Sequence, residues 1–309
     1  MKGLELSRKF YEEFGAPMLK NEFPEIEKYL AVGLVGSGSE CLGFDDEISR
    51  DHDFEAGFCI FLPDEVDERT EFLLERAYSR LPDEFMGYKK AKLNPVGGNR
   101  HGVLRISSFL KSKIGTPDGK LSESDFFFIE EQFLLEVTNG ELFCDNYGLL
   151  SEVRENLSYL PEDVRLKKLA GNLLLMAQAG QYNYPRCIKR GDTASAQLAV
   201  GEFVNSALKT VYLINKKYLP YYKWVFRGLK EMKLLSELYD SLEYLISSPN
   251  TEAQKKQKII EAVCKKIADE LVNQELTKLS TAELEPQAYA VNDRIKDHGI
   301  RNLSVLYGV

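Results

Sequence analysis

Two carboxylates separated by one residue, Asp51 and Asp53, follow a glycine-serine run, Gly36-Ser37-Gly38-Ser39, with the eleven residues Glu40 to Arg50 between them. A Gly/Ser turn that leaves a strand exposes backbone N–H groups, which can cradle phosphate oxygens. Two aspartates two positions apart at a strand entrance send their side chains to the same face. A carboxylate pair opposite a phosphate-binding turn is what a hard cation, Mg²⁺ or Mn²⁺, needs to bridge a triphosphate. Either feature alone is common in ordinary loops; their order, spacing and strand context carry the inference together.

The elements that would position these groups follow from periodicity. Leu6 to Phe14 has helical spacing and is expected to stop at Gly15-Ala16-Pro17. The apolar stretch Tyr29 to Val35 reads as a strand running into the Gly/Ser turn, and Phe54 to Leu62 as a second strand carrying the Asp-x-Asp entrance. Thr70 to Leu81 reads as a helix and Gly102 to Ser107 as a third strand. From Asp125 the spacing is helical until Asn139-Gly140. Helices are then expected over Val164–Ala179, Ala194–Lys216, Lys223–Ser247 and Glu252–Gln274, with breaks at Pro185, Gly191 and Pro220. Strands thus cluster early and helices late, which predicts an α+β domain over residues 1–150 and an all-helical bundle domain over 151–309.

Composition narrows the function classes. The 309 residues carry a net charge of −8, which argues against general nucleic-acid binding while leaving room for a local basic surface. Asp and Glu dominate from Glu40 to Glu84, whereas Lys and Arg thicken between Lys167 and Lys233. Five scattered cysteines form no zinc or disulfide framework. The charged, amphipathic start is unlike a secretory signal and no run of residues is long and apolar enough for a bilayer, so the expectation is a cytoplasmic protein without a membrane partner.

The strand, Gly-Ser, spacer and Asp-x-Asp order resembles the nucleotidyltransferase superfamily signature. The run GSGSECLGFDDEISRDHDF, with Arg190-Gly191-Asp192 and NKKYLPYYKW (Asn215 to Trp224), is similar to its subfamily catalogued as domain of unknown function 4037, over the first helix to about Lys233. The resemblance implies a polymerase-beta-like mixed sheet followed by a helical domain, in the layout of the aminoglycoside adenylyltransferases. It also implies Mg²⁺-dependent transfer of a nucleoside monophosphate, AMP from ATP in the first instance, to a hydroxyl of a small molecule, protein or RNA. Asp51 and Asp53 would then be the catalytic and metal-binding pair. Gly38 and Ser39 fit best as the Gly-Ser pair, with Gly36 and Ser37 also within the usual spacing. The helical domain would close over the nucleotide, with Lys223 reaching its phosphates and Arg186 and Arg190 in reserve.

Two departures qualify that pattern. His52 stands between the carboxylates where a hydrophobic residue is usual, and it is expected to point away from the metal face. The strand Gly102–Ser107 lacks the third carboxylate that active relatives commonly carry, so the base is unassigned among Glu130, Glu131 and Glu136. A catalytically inactive nucleotide-binding or regulatory protein on the same fold is therefore the alternative. Asp45, Asp46 and Glu47 are expected in a solvated loop, and Lys255, Lys256 and Lys258 on an exposed helix face.

Overall fold

A computed structural model describes residues 1–50, 54–89 and 100–309. Asp51, His52 and Asp53 lie outside the described residues. The chain divides into two compact units, one of residues 1–121 and 131–158 and the other of residues 122–130 and 159–309.

The first unit opens with α1 (Gly3–Phe10) and α2 (Ala16–Glu22), joined without interruption by a π-turn at Tyr11–Gly15. The expected stop at Gly15-Ala16-Pro17 does not occur. Proline lacks an N–H and its ring crowds the carbonyl four residues back, but here it enters in the first turn after a widened π-turn, where that clash is relieved. The same device carries a helix through Pro185 in the second unit, behind the π-turn Ala177–Asn183.

Strand β1 (Ala31–Leu34) leads to the short helix α3 (Ser39–Leu42), and β2 (Cys59–Leu62) to α4 (Glu68–Ser79), whose N-terminus is capped by the Asp67 carboxylate accepting from the Thr70 N–H at 3.0 Å. A small hairpin, β3 (Glu84–Phe85) and β4 (Tyr88–Lys89), precedes β5 (Gly102–Arg105) and α5 (Ile106–Ile114). Then come α6 (Asp125–Phe128) of the second unit, α7 (Glu131–Thr138), β6 (Glu141–Asp145) and α8 (Leu149–Asn156). The main sheet has the order β5-β2-β1-β6; β1 is antiparallel to both β2 and β6, and β2 is parallel to β5.

The second strand is shorter than its apolar run. Phe54 to Phe58 precede the ladder, which starts at Cys59 because that residue is the first with partners on both sides, Gly33 and Gly102. All four β2 residues are buried. Ile60 and Leu62 join Leu6, Phe10, Val32 and Leu74 in one core, while Phe61 packs edge-on against Phe109 of α5 with ring centroids 5.2 Å apart. A strand buried on both faces reads as a continuous apolar run, as this one does.

The second unit is helical: α9 (Glu162–Met176), α10 (Tyr184–Lys189), α11 (Thr193–Ile214), α12 (Tyr222–Lys230), α13 (Tyr239–Ser247), α14 (Ala253–Asn273), α15 (Leu284–Asn292) and α16 (His298–Asn302). The run expected as one helix over Lys223–Ser247 is two, because Leu235 turns left-handed (φ +62°) between them. Lys256 is not on an exposed face. It is fully buried, and its Nζ donates to Ser248 O at 2.6 Å and to Gln197 Oε1 and Asn250 Oδ1 at 3.3 Å. Among the described residues no helix is long and apolar enough to cross a membrane.

Candidate functional site

The sheet topology brings one set of polar residues to one end. β1 ends where β2, β5 and β6 begin, so the segment after β1 (Gly36 to Glu40), the lead into β2 (Glu55), the lead into β5 (Arg100, His101) and the residue before β6 (Asn139) share an edge. Gly36 (φ +110°) and Gly38 (φ +128°) hold the turn open in backbone conformations that residues with a Cβ rarely adopt. Asn139 pins the turn from the other side: its amide accepts from the Gly36 N–H at 2.9 Å and donates to the Gly36 carbonyl at 2.8 Å. The Asn-Gly pair read as a helix stop therefore also clamps the turn, with the Gly140 N–H donating to Cys41 O at 2.9 Å.

Arg100 is the residue that sequence reasoning missed. Its guanidinium donates to Ser37 O at 2.8 Å and forms an ion pair with Glu40, which is only 7% exposed. A Cβ on Gly38 would overlap this guanidinium, so what the glycine lets approach is Arg100 itself. The Nε of Arg100 is buried and has no hydrogen-bond acceptor among the described residues. A charged donor left without an acceptor is costly unless something else supplies one. No pattern marks Arg100 in the sequence, because it stands just before β5 and belongs to no periodic element.

Behind Arg100, the Cys59 thiol lies 3.2 Å from the Arg100 carbonyl. Burial pushes that thiol up to about 12, so it stands protonated and donates. His101 Nδ1 and Glu55 Oε1 are 2.8 Å apart, both side chains being nearly buried, and the imidazole packs flat against Gly57. Strand β5 itself carries no carboxylate, as expected. Arg105 at its end pairs with Glu71, Nε to Oε2 at 2.8 Å. Of the alternatives considered for the base, Glu136 is ion-paired with Lys113.

Asp45 does not lie in solvent. It is 3% exposed, accepting from the Gly3 N–H at 3.0 Å beside the Lys2 ammonium at 3.5 Å, and so ties the loop after α3 to the start of α1. Asp46 accepts from the Ile48 and Ser49 N–H groups at 3.1 and 3.0 Å and shapes the next turn.

The remaining nominated residues belong to the second unit. Lys223 is exposed on α12, with Nζ 5.0 Å from the centroid of the Trp224 ring. Arg186 lies over the Tyr182 ring at 4.4 Å. Arg190 caps the C-terminus of α10, and Asp192 caps α11 by accepting from the Ser195 N–H at 3.0 Å. The Arg-Gly-Asp triplet is thus a helix–helix turn, with Gly191 at φ +74°. Among the described residues no group of three or more His, Cys, Asp and Glu side chains could hold a metal ion; the carboxylates the sequence nominates lie outside them.

Fold and site together define an α+β protein: a four-stranded mixed sheet flanked by helices, and a helical unit. Residues 126–225 match the family described as Domain of unknown function (DUF4037), which bears out the resemblance over that stretch, under half of the chain. The matched segment includes Arg190-Gly191-Asp192 and Trp224 and does not include the Gly/Ser turn. A solved nucleotidyltransferase-like protein from Exiguobacterium sibiricum 255-15 aligns with 95% of this chain and 80% of its own, at 12% identity and a TM-score of 0.38. No curated protein matches the chain.

Proposed function

We propose that this protein transfers a nucleoside monophosphate, AMP from ATP as the first candidate, from a nucleoside triphosphate to a hydroxyl. The observation that carries the reading is Arg100, a guanidinium at the mouth of the Gly36–Ser39 turn whose buried Nε has no acceptor among the described residues. A phosphate oxygen at the turn would accept from this guanidinium, whose planar fork suits phosphate geometry. In the reaction the acceptor oxygen bonds to the α-phosphorus, the bond to the bridging oxygen breaks, and pyrophosphate leaves with the electron pair. The hydroxyl proton passes to a base or solvent. A divalent cation, assigned on sequence grounds to Asp51 and Asp53, would neutralise charge on the triphosphate.

Incubation with each α-labelled triphosphate, Mg²⁺ and a cell extract tests this directly: label should enter a stable product with wild type and be lost with Asp53→Asn. Calorimetry with Mg²⁺ and a non-hydrolysable triphosphate should show binding that Asp53→Asn abolishes; equal affinity in the two would sink the metal assignment. A second reading, a nucleotide-binding protein without transfer activity, is favoured by the absence of a carboxylate on β5. Tight nucleotide binding with no labelled product from any extract would select it.

A further inference from the structure

Helix α12 carries charge of one sign along one side. Lys223, Arg227 and Lys230 stand at positions i, i+4 and i+7, within about 60° of one another around the helix axis and spanning roughly 10 Å at 1.5 Å per residue. The opposite side is buried through Val225, Gly228 and Leu229, so the helix is anchored, with Lys223 and Lys230 exposed and Arg227 half-buried between them. From Lys217 to Lys233 the sequence has five basic residues and one acid, Glu231, in a chain whose net charge is −8.

Aromatic rings flank these cations. Tyr221 and Tyr222, 46% and 76% exposed, have ring centroids 4.3 Å apart at the start of the helix. At the other end the Lys230 Nζ sits 4.0 Å from the Tyr239 ring centroid, and Arg227, Lys230, Glu231 and Tyr239 line a cavity of about 390 Å³. Exposed tyrosines of this kind are not finishing a core. Tyr218, which does, is 4% exposed.

We infer that this face of α12 binds single-stranded nucleic acid. Cations in a row neutralise successive phosphates, and rings left open to solvent stack on unpaired bases, which a duplex does not offer. The chain's overall acidity then restricts binding to this face. The inference needs no bound triphosphate and stands apart from the transfer reaction, while fitting an acceptor hydroxyl borne by RNA.

The test is fluorescence anisotropy of a labelled single-stranded oligoribonucleotide with the full chain, in EDTA and without triphosphate, so that failure leaves the transfer reading untouched. Binding is expected to weaken with salt, with a log–log slope near −2 for three phosphate contacts at roughly 0.7 each. Arg227→Ala/Lys230→Ala should reduce that slope by about 1.4, and Tyr222→Ala should weaken binding roughly fivefold or more. Circular dichroism should show both variants folded. Preference for duplex, heparin or anionic vesicles over the single strand would overturn the inference, as would an unchanged affinity in Arg227→Ala/Lys230→Ala.

Discussion

Two cations, one in each unit, are handled in opposite ways. Arg100 meets the Ser37 carbonyl and the Glu40 carboxylate, and its buried Nε has no acceptor among the described residues. Lys167 is fully buried, yet its Nζ donates to three neutral oxygens: Asn292 Oδ1 at 2.7 Å, Leu303 O at 2.9 Å and Arg301 O at 3.1 Å. An ammonium with three donors and three acceptors is complete, and it fastens the C-terminal ends of α15 and α16 to α9. A guanidinium with a spare donor beside an open turn is incomplete. The difference separates a group spent on structure from one available to a ligand, and burial alone does not make that distinction.

The largest effect should follow from removing the complete cation. Lys167→Met takes the donor from Asn292 Oδ1 and Leu303 O, while Arg301 O keeps the Asn292 amide at 3.3 Å; at roughly 1–3 kcal/mol for each orphaned acceptor, a loss on the order of 3 kcal/mol is expected. Calorimetric unfolding would register it as a lower midpoint with triphosphate affinity unchanged. A midpoint equal to wild type would mean that the three bonds hold nothing.

Next in size is Gly38→Val, which meets the Arg100 guanidinium and forces a branched residue to φ +128°. Roughly 1–3 kcal/mol of stability should go, together with triphosphate binding. The sequence alone predicts lost binding with the fold untouched. The structure adds the stability cost, because Arg100 already occupies the space. Denaturation and calorimetry on the same variant decide between these outcomes.

Arg100→Ala sharpens the comparison from the other side. Triphosphate affinity should fall about tenfold or more, a change of roughly 1.4 kcal/mol, from loss of a charged donor pair. Arg100→Lys should rescue it only partly, since an ammonium lacks the fork. Wild-type affinity in Arg100→Ala would make this arginine as structural as Lys167.

The smallest effect concerns pH. Burial lowers the pKa of Lys167 from its ordinary value of 10.5. Between the lowered folded value and the unfolded value the unfolded chain binds more protons, so stability should rise with pH in that window. Below it the ammonium is charged in both states and the cost of burying it is fully felt. Wild type should show this upward slope just below pH 10.5, and Lys167→Met should lack its share of it, in urea melts taken at successive pH values.

The first three sheet strands were legible because each is a short apolar run bounded by turn residues. The stripe Ile259, Ile260, Val263, Ile267, Leu271 of α14 was legible because its spacing reports one buried face, although Ile259 is only half buried. The edge strand β6 was not: Glu141-Leu142-Phe143-Cys144-Asp145 is only half buried along its length and carries no clear alternation. The π-turns that carry helices past Pro17 and Pro185 leave no mark either, since proline signals a break wherever local propensity is all one can see.

What the sequence by itself determined is local: the glycines that hold the turn after β1, the apolar period that makes each helix and strand, and the division into a strand-rich beginning and a helical remainder. Only the tertiary structure decided which distant groups complete one another. Arg100 reached Gly38 and Glu40 because β5 runs parallel to β2 and starts at the same sheet end; Lys256 went inside because Ser248, Gln197 and Asn250 were there to receive its protons. A charge in a sequence has no partner until the fold brings one within about 3 Å, and it is that partner, or its absence, that makes the charge structural or functional.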